Sequence, residues 1–191
     1  AEIYREHLED IDSAIATYAS IQEQNPEDIE ILDALIGLYQ EKEAWKELTN
    51  VLLLKAKLVS EPEERKALLF QAATIHEEVL GDPDAAIAIH SEILADEAGE
   101  PTALDSLERL YTGKEAWADL LNVYIAKNEI VQGDEEHKAL YFRMGELQET
   151  KLEDNVGAVE TYQRILDIDP EDLVYPMVKP GGTLEDLIMD C

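Results

Sequence analysis

The sequence predicts an all-α chain: a solenoid of antiparallel helix pairs. Three observations carry that prediction. The chain repeats itself at an offset of 72 residues, its apolar residues recur at steps of three and four, and short turn signals divide it at regular intervals. Between the copies that open at Leu8 and Leu80, about 28 of 72 aligned positions are identical, and a third copy opens at Leu152. Both tryptophans fall in one column, Trp45 in KEAWKEL and Trp117 in KEAWADL. Most shared positions are apolar or small, as in Ala14/Ala86/Ala158, Ile21/Ile93/Ile165, Leu35/Leu107 and Phe70/Phe142. Such a pattern preserves a packing surface, so it speaks for a fold far more than for an activity.

The elements follow in order. Ala1 to His7 align with Ala73 to Val79 and Gly145 to Lys151, so residues 1–8 read as the end of a helix already under way, and the chain as a piece of a longer protein. A second helix, 12–24, carries Ala14, Ile15, Tyr18 and Ile21. Asn25-Pro26-Glu27-Asp28 stops it and opens 28–41, whose Leu32, Leu35, Leu38 and Tyr39 share one face. The first tryptophan phrase opens 44–60, and Glu61-Pro62-Glu63 gives 63–80 a proline in its first turn. Gly81-Asp82-Pro83-Asp84 separates that helix from 84–96. Gly99-Glu100-Pro101 begins 101–112, the copy of 28–41, and the second tryptophan phrase begins 115–132. Gly133-Asp134 precedes 135–152, and 156–168 runs to Asp169-Pro170-Glu171. Acidic residues beside these prolines meet the positive end of each helix dipole. Connections this short require antiparallel neighbours, and one amphipathic pair cannot bury its apolar side alone, so each pair depends on the next. No stretch alternates with period two for long enough to predict a strand.

The chain has 44 acidic against 15 basic residues, a formal charge of -29 and an isoelectric point of about 4.2. Nucleic acid, whose phosphates need a Lys/Arg footprint, is an unsuitable partner, and so is an anionic membrane surface. A basic or mixed-charge protein or peptide is the electrostatically reasonable partner, while a solvated acidic surface that maintains solubility is the simpler account of the charge. The single cysteine, Cys191, allows no intrachain disulfide, which suits a reducing compartment and leads to an expected cytoplasmic location. No apolar run approaches 18 residues, and no signal-peptide pattern opens the chain.

The sequence predicts no catalytic residue, no metal and no cofactor. The four histidines, His7, His76, His90 and His137, form no HExxH pair, and His76-Glu77-Glu78 lacks a second histidine four residues on. His90 shares a column with Tyr18 and Tyr162, which predicts a packed or half-buried ring. Asp82-Pro83-Asp84 and Glu153-Asp154 read as helix caps and lack the spacing and central glycine of a calcium loop. Neither a GxxxxGK[ST] loop nor a GxSxG elbow is present.

Residues 139–172, ALYFRMGELQETKLEDNVGAVETYQRILDIDPED, resemble a tetratricopeptide repeat (TPR): Tyr141, Met144-Gly145, Ala158, Tyr162, Ile165 and Pro170 occupy the places of that family's signature. Residues 67–98 resemble it through Leu69, Ala72-Ala73, Ala86, His90 and Ile93, with Ala98 where the proline would stand. The units 29–66 and 101–138 diverge, keeping Leu-x-x-Leu-Tyr but placing AWKEL or AWADL where the family's second helix opens on a small residue. The resemblance covers residues 1 to about 172 and implies a right-handed superhelix whose first helices line a concave groove. By the family's register the groove residues are Asp33, Gly37, Gln40, Phe70, Thr74, Glu77, Asp105, Arg109, Thr112, Phe142, Glu146 and Glu149. Phe70 and Phe142 then supply either two apolar groove contacts or part of the core between repeats. With Arg109 the one cation among these positions, the set does not resemble the clamp that holds a chaperone's acidic tail.

The resemblance implies a protein-interaction scaffold that presents an acidic groove to a peptide or protein. The alternatives are a structural or self-assembling spacer of a larger protein and a non-catalytic part of an enzyme complex. Trp45 and Trp117, early in the second helices of the divergent units, read as space-filling rings whose removal costs about 3–5 kcal/mol. Residues 173–191 break the repeat, because Pro176, Pro180 and Gly181-Gly182 forbid a continuous helix; a short one at 183–189 is expected. This tail reads as a natural end, a foreign appended segment, or a peptide that docks in its own or a neighbour's groove.

Overall fold

The computed structural model describes residues 2–170, with side chains from residue 10 onward; the tail and its expected helix at 183–189 lie outside the described residues. The described residues form helices and turns with no strand. In order the helices are α1 (Glu2–Gln24), α2 (Ile29–Glu41), α3 (Trp45–Leu58), α4 (Pro62–Thr74, continued as a π-helical turn, Ile75–Val79), α5 (Pro83–Asp96), α6 (Pro101–Gly113), α7 (Trp117–Ile130), α8 (Asp134–Thr150) and α9 (Asn155–Ile168). The chain divides into two compact units, residues 1–95 and 96–191.

From α2 onward the helices fall where the apolar spacing and the prolines predict them, within two residues at each end. The start differs. Two helices are expected across 1–24, and one continuous helix is found. Glu9-Asp10-Ile11 stand where Gly81-Asp82-Pro83 break the chain in the next copy, and they offer neither a glycine nor a proline. Glu153-Asp154-Asn155 lack both too, but there α8 folds back on α9 and the chain bends at Glu153, with φ of 55°.

The 72-residue register of the sequence is also a register of backbone geometry. Glu43 and Glu115 adopt the left-handed conformation at φ of 56° and 55°, as do Gly81 at 62° and Glu153 at 55°. Ala44 N–H bonds to the Tyr39 carbonyl at 2.9 Å, and Ala116 N–H to that of Tyr111 at the same distance. Asp82 Oδ1 accepts from Ala85 N–H at 3.1 Å, and Asp154 Oδ1 from Gly157 N–H at 2.9 Å, so both aspartates are helix caps as expected.

Each unit shows the all-α packing of sequence-adjacent antiparallel helices. Lys55, late in α3, reaches Asp33, early in α2, at 2.7 Å; Lys127 in α7 repeats this with Asp105 in α6 at 2.5 Å. The core of the first unit is built on Leu32, Leu35, Leu48, Leu52, Leu69 and Ile93, each at most 2% exposed. In the second, Leu120, Tyr124, Leu140, Met144 and Leu147 form one cluster, and Ala158, Tyr162 and Ile165 another. His90 is buried, at 3% exposure, as its column predicts. Both tryptophans are only half-buried. Trp117 packs on the first of these clusters, with Lys151 Nζ 4.9 Å from its ring centroid.

Candidate functional site

The second unit contains two pockets, its two lobes, each lined by residues of α6, α7 and α8. One lobe, of 340 Å³, has an apolar lining of Leu104, Ile130, Val131, Ala139 and Leu140, bordered by Asp105, Lys127, Glu136 and Arg143. The other, of 390 Å³, offers Trp117, Leu120, Tyr124 and Leu147, bordered by Glu108, Thr112, Arg143, Glu146 and Lys151. Arg143 lines both.

A chain of ion pairs connects the two lobes. Lys127 Nζ donates to Asp105 and to Glu108, and Arg143 Nη1 donates to the other Glu108 oxygen at 3.2 Å. Burial works against the Lys127 charge, but the bonds to Asp105 and Glu108 outweigh it and raise its pKa above the usual lysine value. Burial first, and the Glu108 carboxylate second, raise the Tyr124 phenol. The first unit has the simpler arrangement, with Lys55 bonded to Asp33 and ion-paired with Glu64 at 3.0 Å. Glu108, Arg143 and Tyr124 replace Ile36, Gln71 and Leu52 of the first copy. None of Glu108, Tyr124, Lys127 and Arg143 is a groove residue by the family's register. The signal in the sequence is the change from non-ionisable to ionisable at three aligned positions around a shared lysine.

The structure separates the groove residues named from the sequence. In the second unit Asp105 borders one lobe, while Thr112 and Glu146 border the other. Arg109 is exposed and lines neither. Phe142 is half-buried against α9, its ring 6.2 Å from that of Tyr162. Glu149 also faces Tyr162: burial, then the charges of Glu149 and Glu146, push that phenol up to about 12. In the first unit Asp33 is tied to Lys55, while Gly37, Gln40 and Thr74 are exposed. Phe70 is half-buried with its ring 5.8 Å from His90, and Glu77 is half-buried on the π-helical turn.

A further cavity of 380 Å³ in the second unit is lined by residues of α7, α8 and α9, among them Ile125, Asn128, Tyr141, Gln148 and Arg164. Asn128 donates to the Tyr141 hydroxyl at 3.2 Å, and Arg164 lies 5.8 Å from that ring's centroid. In the first unit Arg65, in the column of His137, bonds to the Ala56 carbonyl and to Glu92. Among the described residues no cluster of three or more His, Cys, Asp or Glu could hold a metal ion. No described helix is long and apolar enough to cross a membrane.

No protein-family model and no curated protein matches the chain. Solved structures similar to it include the MamA protein, at 17% identity over 87% of each chain with a TM-score of 0.43. YrrB, described as a TPR protein with an unusual peptide-binding site, is 16% identical over 89% of this chain and 84% of its own, with a TM-score of 0.44. BtubC from P. vanneervenii is 14% identical over 97% and 80%, with a TM-score of 0.41. The repeat character of this all-α chain rests on its own 72-residue register, present both in the sequence and in backbone angles.

Proposed function

We propose that the chain is a protein-interaction scaffold whose second unit binds a peptide segment in the cleft between α6 and α8. The observation that carries this reading is an apolar floor bordered by charges that the fold already holds in place. Asp105 and Glu108 engage Lys127 and Arg143, so the acidic character left for a ligand comes from Glu136 and Glu146. These two stand on α8 with about 15 Å of helix axis between them. An extended strand covers that span in about four to five residues. The ligand class is therefore a short apolar segment with a basic residue at each end, held by burial on the floor and steered by charge at the rim.

The test is titration calorimetry with a peptide of that design. Binding should weaken with salt, and Glu136→Lys and Glu146→Lys should each reduce affinity by about tenfold while leaving the helical signal unchanged. Affinity untouched by both reversals would remove the reading.

A further inference from the structure

The two copies of one lysine choose different partners. Lys55 Nζ lies 2.7 Å from Asp33, on the helix before it, and 3.0 Å from Glu64, in the first turn of the helix after it. Lys127 keeps the first contact, at 2.5 Å from Asp105, but takes its second carboxylate from Glu108. Glu136 stands in the column of Glu64 and borders the same lobe as Lys127. It has no ion pair among the described residues.

Three substitutions account for the difference. Glu108 replaces Ile36, which offers Lys55 no charge, so the second copy has a carboxylate one helical turn from Asp105 and the ammonium is shared within α6. Arg143, in place of Gln71, bonds to the other oxygen of Glu108 at 3.2 Å and holds that side chain where Lys127 can reach it. Gly133 replaces Glu61, and a Cβ built on it would overlap the Glu136 carboxylate. Glu136 therefore folds back over the start of α8, through space that a Cβ occupies in the first copy. The adjacent pair is the same in both copies, Lys66 with Glu63 at 3.1 Å and Lys138 with Glu135 at 2.7 Å.

We propose that Glu108 is the specificity-determining residue of the cleft: it draws Lys127 away from Glu136 and so leaves that carboxylate for the ammonium of a lysine on the bound segment. This assignment rests on the peptide-binding reading of the cleft and gives the chemistry of one end of the ligand. In the first unit a lysine of the chain itself fills the place beside the carboxylate; in the second the place is kept for one from outside. An ammonium is the group that fits, because the first copy already holds one beside the matching carboxylate. The apolar lining of Leu104, Ile130 and Leu140 suits the aliphatic stem that carries it.

Carbodiimide coupling of the full chain, which joins an ammonium to a carboxylate in contact, shows by mass spectrometry which acid each lysine meets. The unaltered protein should link Lys55 to Glu64 and leave Lys127 unlinked to Glu136. Glu108→Gln, which removes the charge and keeps the shape, should raise the Lys127 to Glu136 link to within about twofold of the Lys55 to Glu64 link. The reciprocal change, Ile36→Glu with Gln71→Arg, should lower the Lys55 to Glu64 link by at least about threefold, and it provides the test if Glu108→Gln does not fold. Calorimetry with the peptide described above, carrying lysine at both ends, gives the ligand's side. Glu136→Lys weakens it by about tenfold in the unaltered chain and should weaken it by less than about twofold in the Glu108→Gln background, where Lys127 already occupies that carboxylate. The proposal is overturned by a Lys127 to Glu136 link in the unaltered protein as strong as that of Lys55 to Glu64, by none in Glu108→Gln, or by an equal effect of Glu136→Lys in both backgrounds. A peptide that binds no form of the chain would instead sink the peptide-binding reading, while the links still decide what holds Lys127.

Discussion

Gly145 lies so close to Tyr162 that a Cβ built on the glycine would stand 2.4 Å from the ring's Cε1. The ring is 7% exposed and has little room to withdraw. Alanine at 145 gains helix propensity but overpacks this contact, and the second effect wins: Gly145→Ala is expected to destabilise the protein by about 1–2 kcal/mol. Adding Tyr162→His recreates the pairing of Ala73 with His90 and should recover most of the loss. Urea denaturation of the two single variants and the double variant measures the coupling.

Glu153 occupies the left-handed backbone position that Gly81 fills one copy earlier. A side chain there costs about 1–2 kcal/mol, and glycine's greater freedom in the unfolded chain cancels part of the gain from removing it. Glu153→Gly should stabilise by about 0.5–1 kcal/mol. Glu43→Gly and Glu115→Gly should act in the same direction, and a melting temperature that falls in all three would refute the account.

Trp117 rests one face on the Leu120, Tyr124 and Met144 cluster and keeps the rest of its ring in partial contact with water. The cost of Trp117→Ala is accordingly set below that of a fully buried indole, at about 1.5–3 kcal/mol. Trp45→Ala, at the matching half-buried position, should cost a similar amount. Chemical denaturation of both variants gives the comparison.

The Tyr162 phenol has a pKa raised from 10.0 to about 12. Folding therefore favours its neutral form. Its contribution is fully present below pH 10 and is lost as pH rises through about 12, because the unfolded chain releases the proton first. Lys55 and Lys127, both raised above 10.5, push in the same direction. Stability measured from about pH 9 to about pH 12 should fall, and Tyr162→Phe should make the fall shallower. An equal slope in the variant would show that this phenol is not responsible.

The helices were legible because the signals that define them are local: prolines at first turns, acidic caps, and apolar residues at steps of three and four. Where a local signal is weak, legibility ends. The continuity of α1 follows from the lack of a breaker at Glu9-Asp10-Ile11, and the column logic of the repeat argues the opposite. Side-chain direction is a tertiary matter. The sequence leaves Phe142 open between a groove contact and the core between repeats, and only the fold shows its ring turned toward Tyr162. The cleft's ion pairs bring together three helices, α6, α7 and α8, so their only trace in the sequence is the aligned substitution of Ile36 by Glu108, Gln71 by Arg143 and Leu52 by Tyr124.

The ties between helices are short-range along the chain. Lys55 and Asp33 are 22 residues apart, as are Lys127 and Asp105, and the Arg143 to Glu108 bond closes a span of 35. Closing such small loops takes little entropy, and each doubling of loop length adds only about 0.6 kcal/mol. Chains dominated by nearby partners reach the native state in microseconds to milliseconds, so this one should refold quickly from either half, with no slow search for a distant partner.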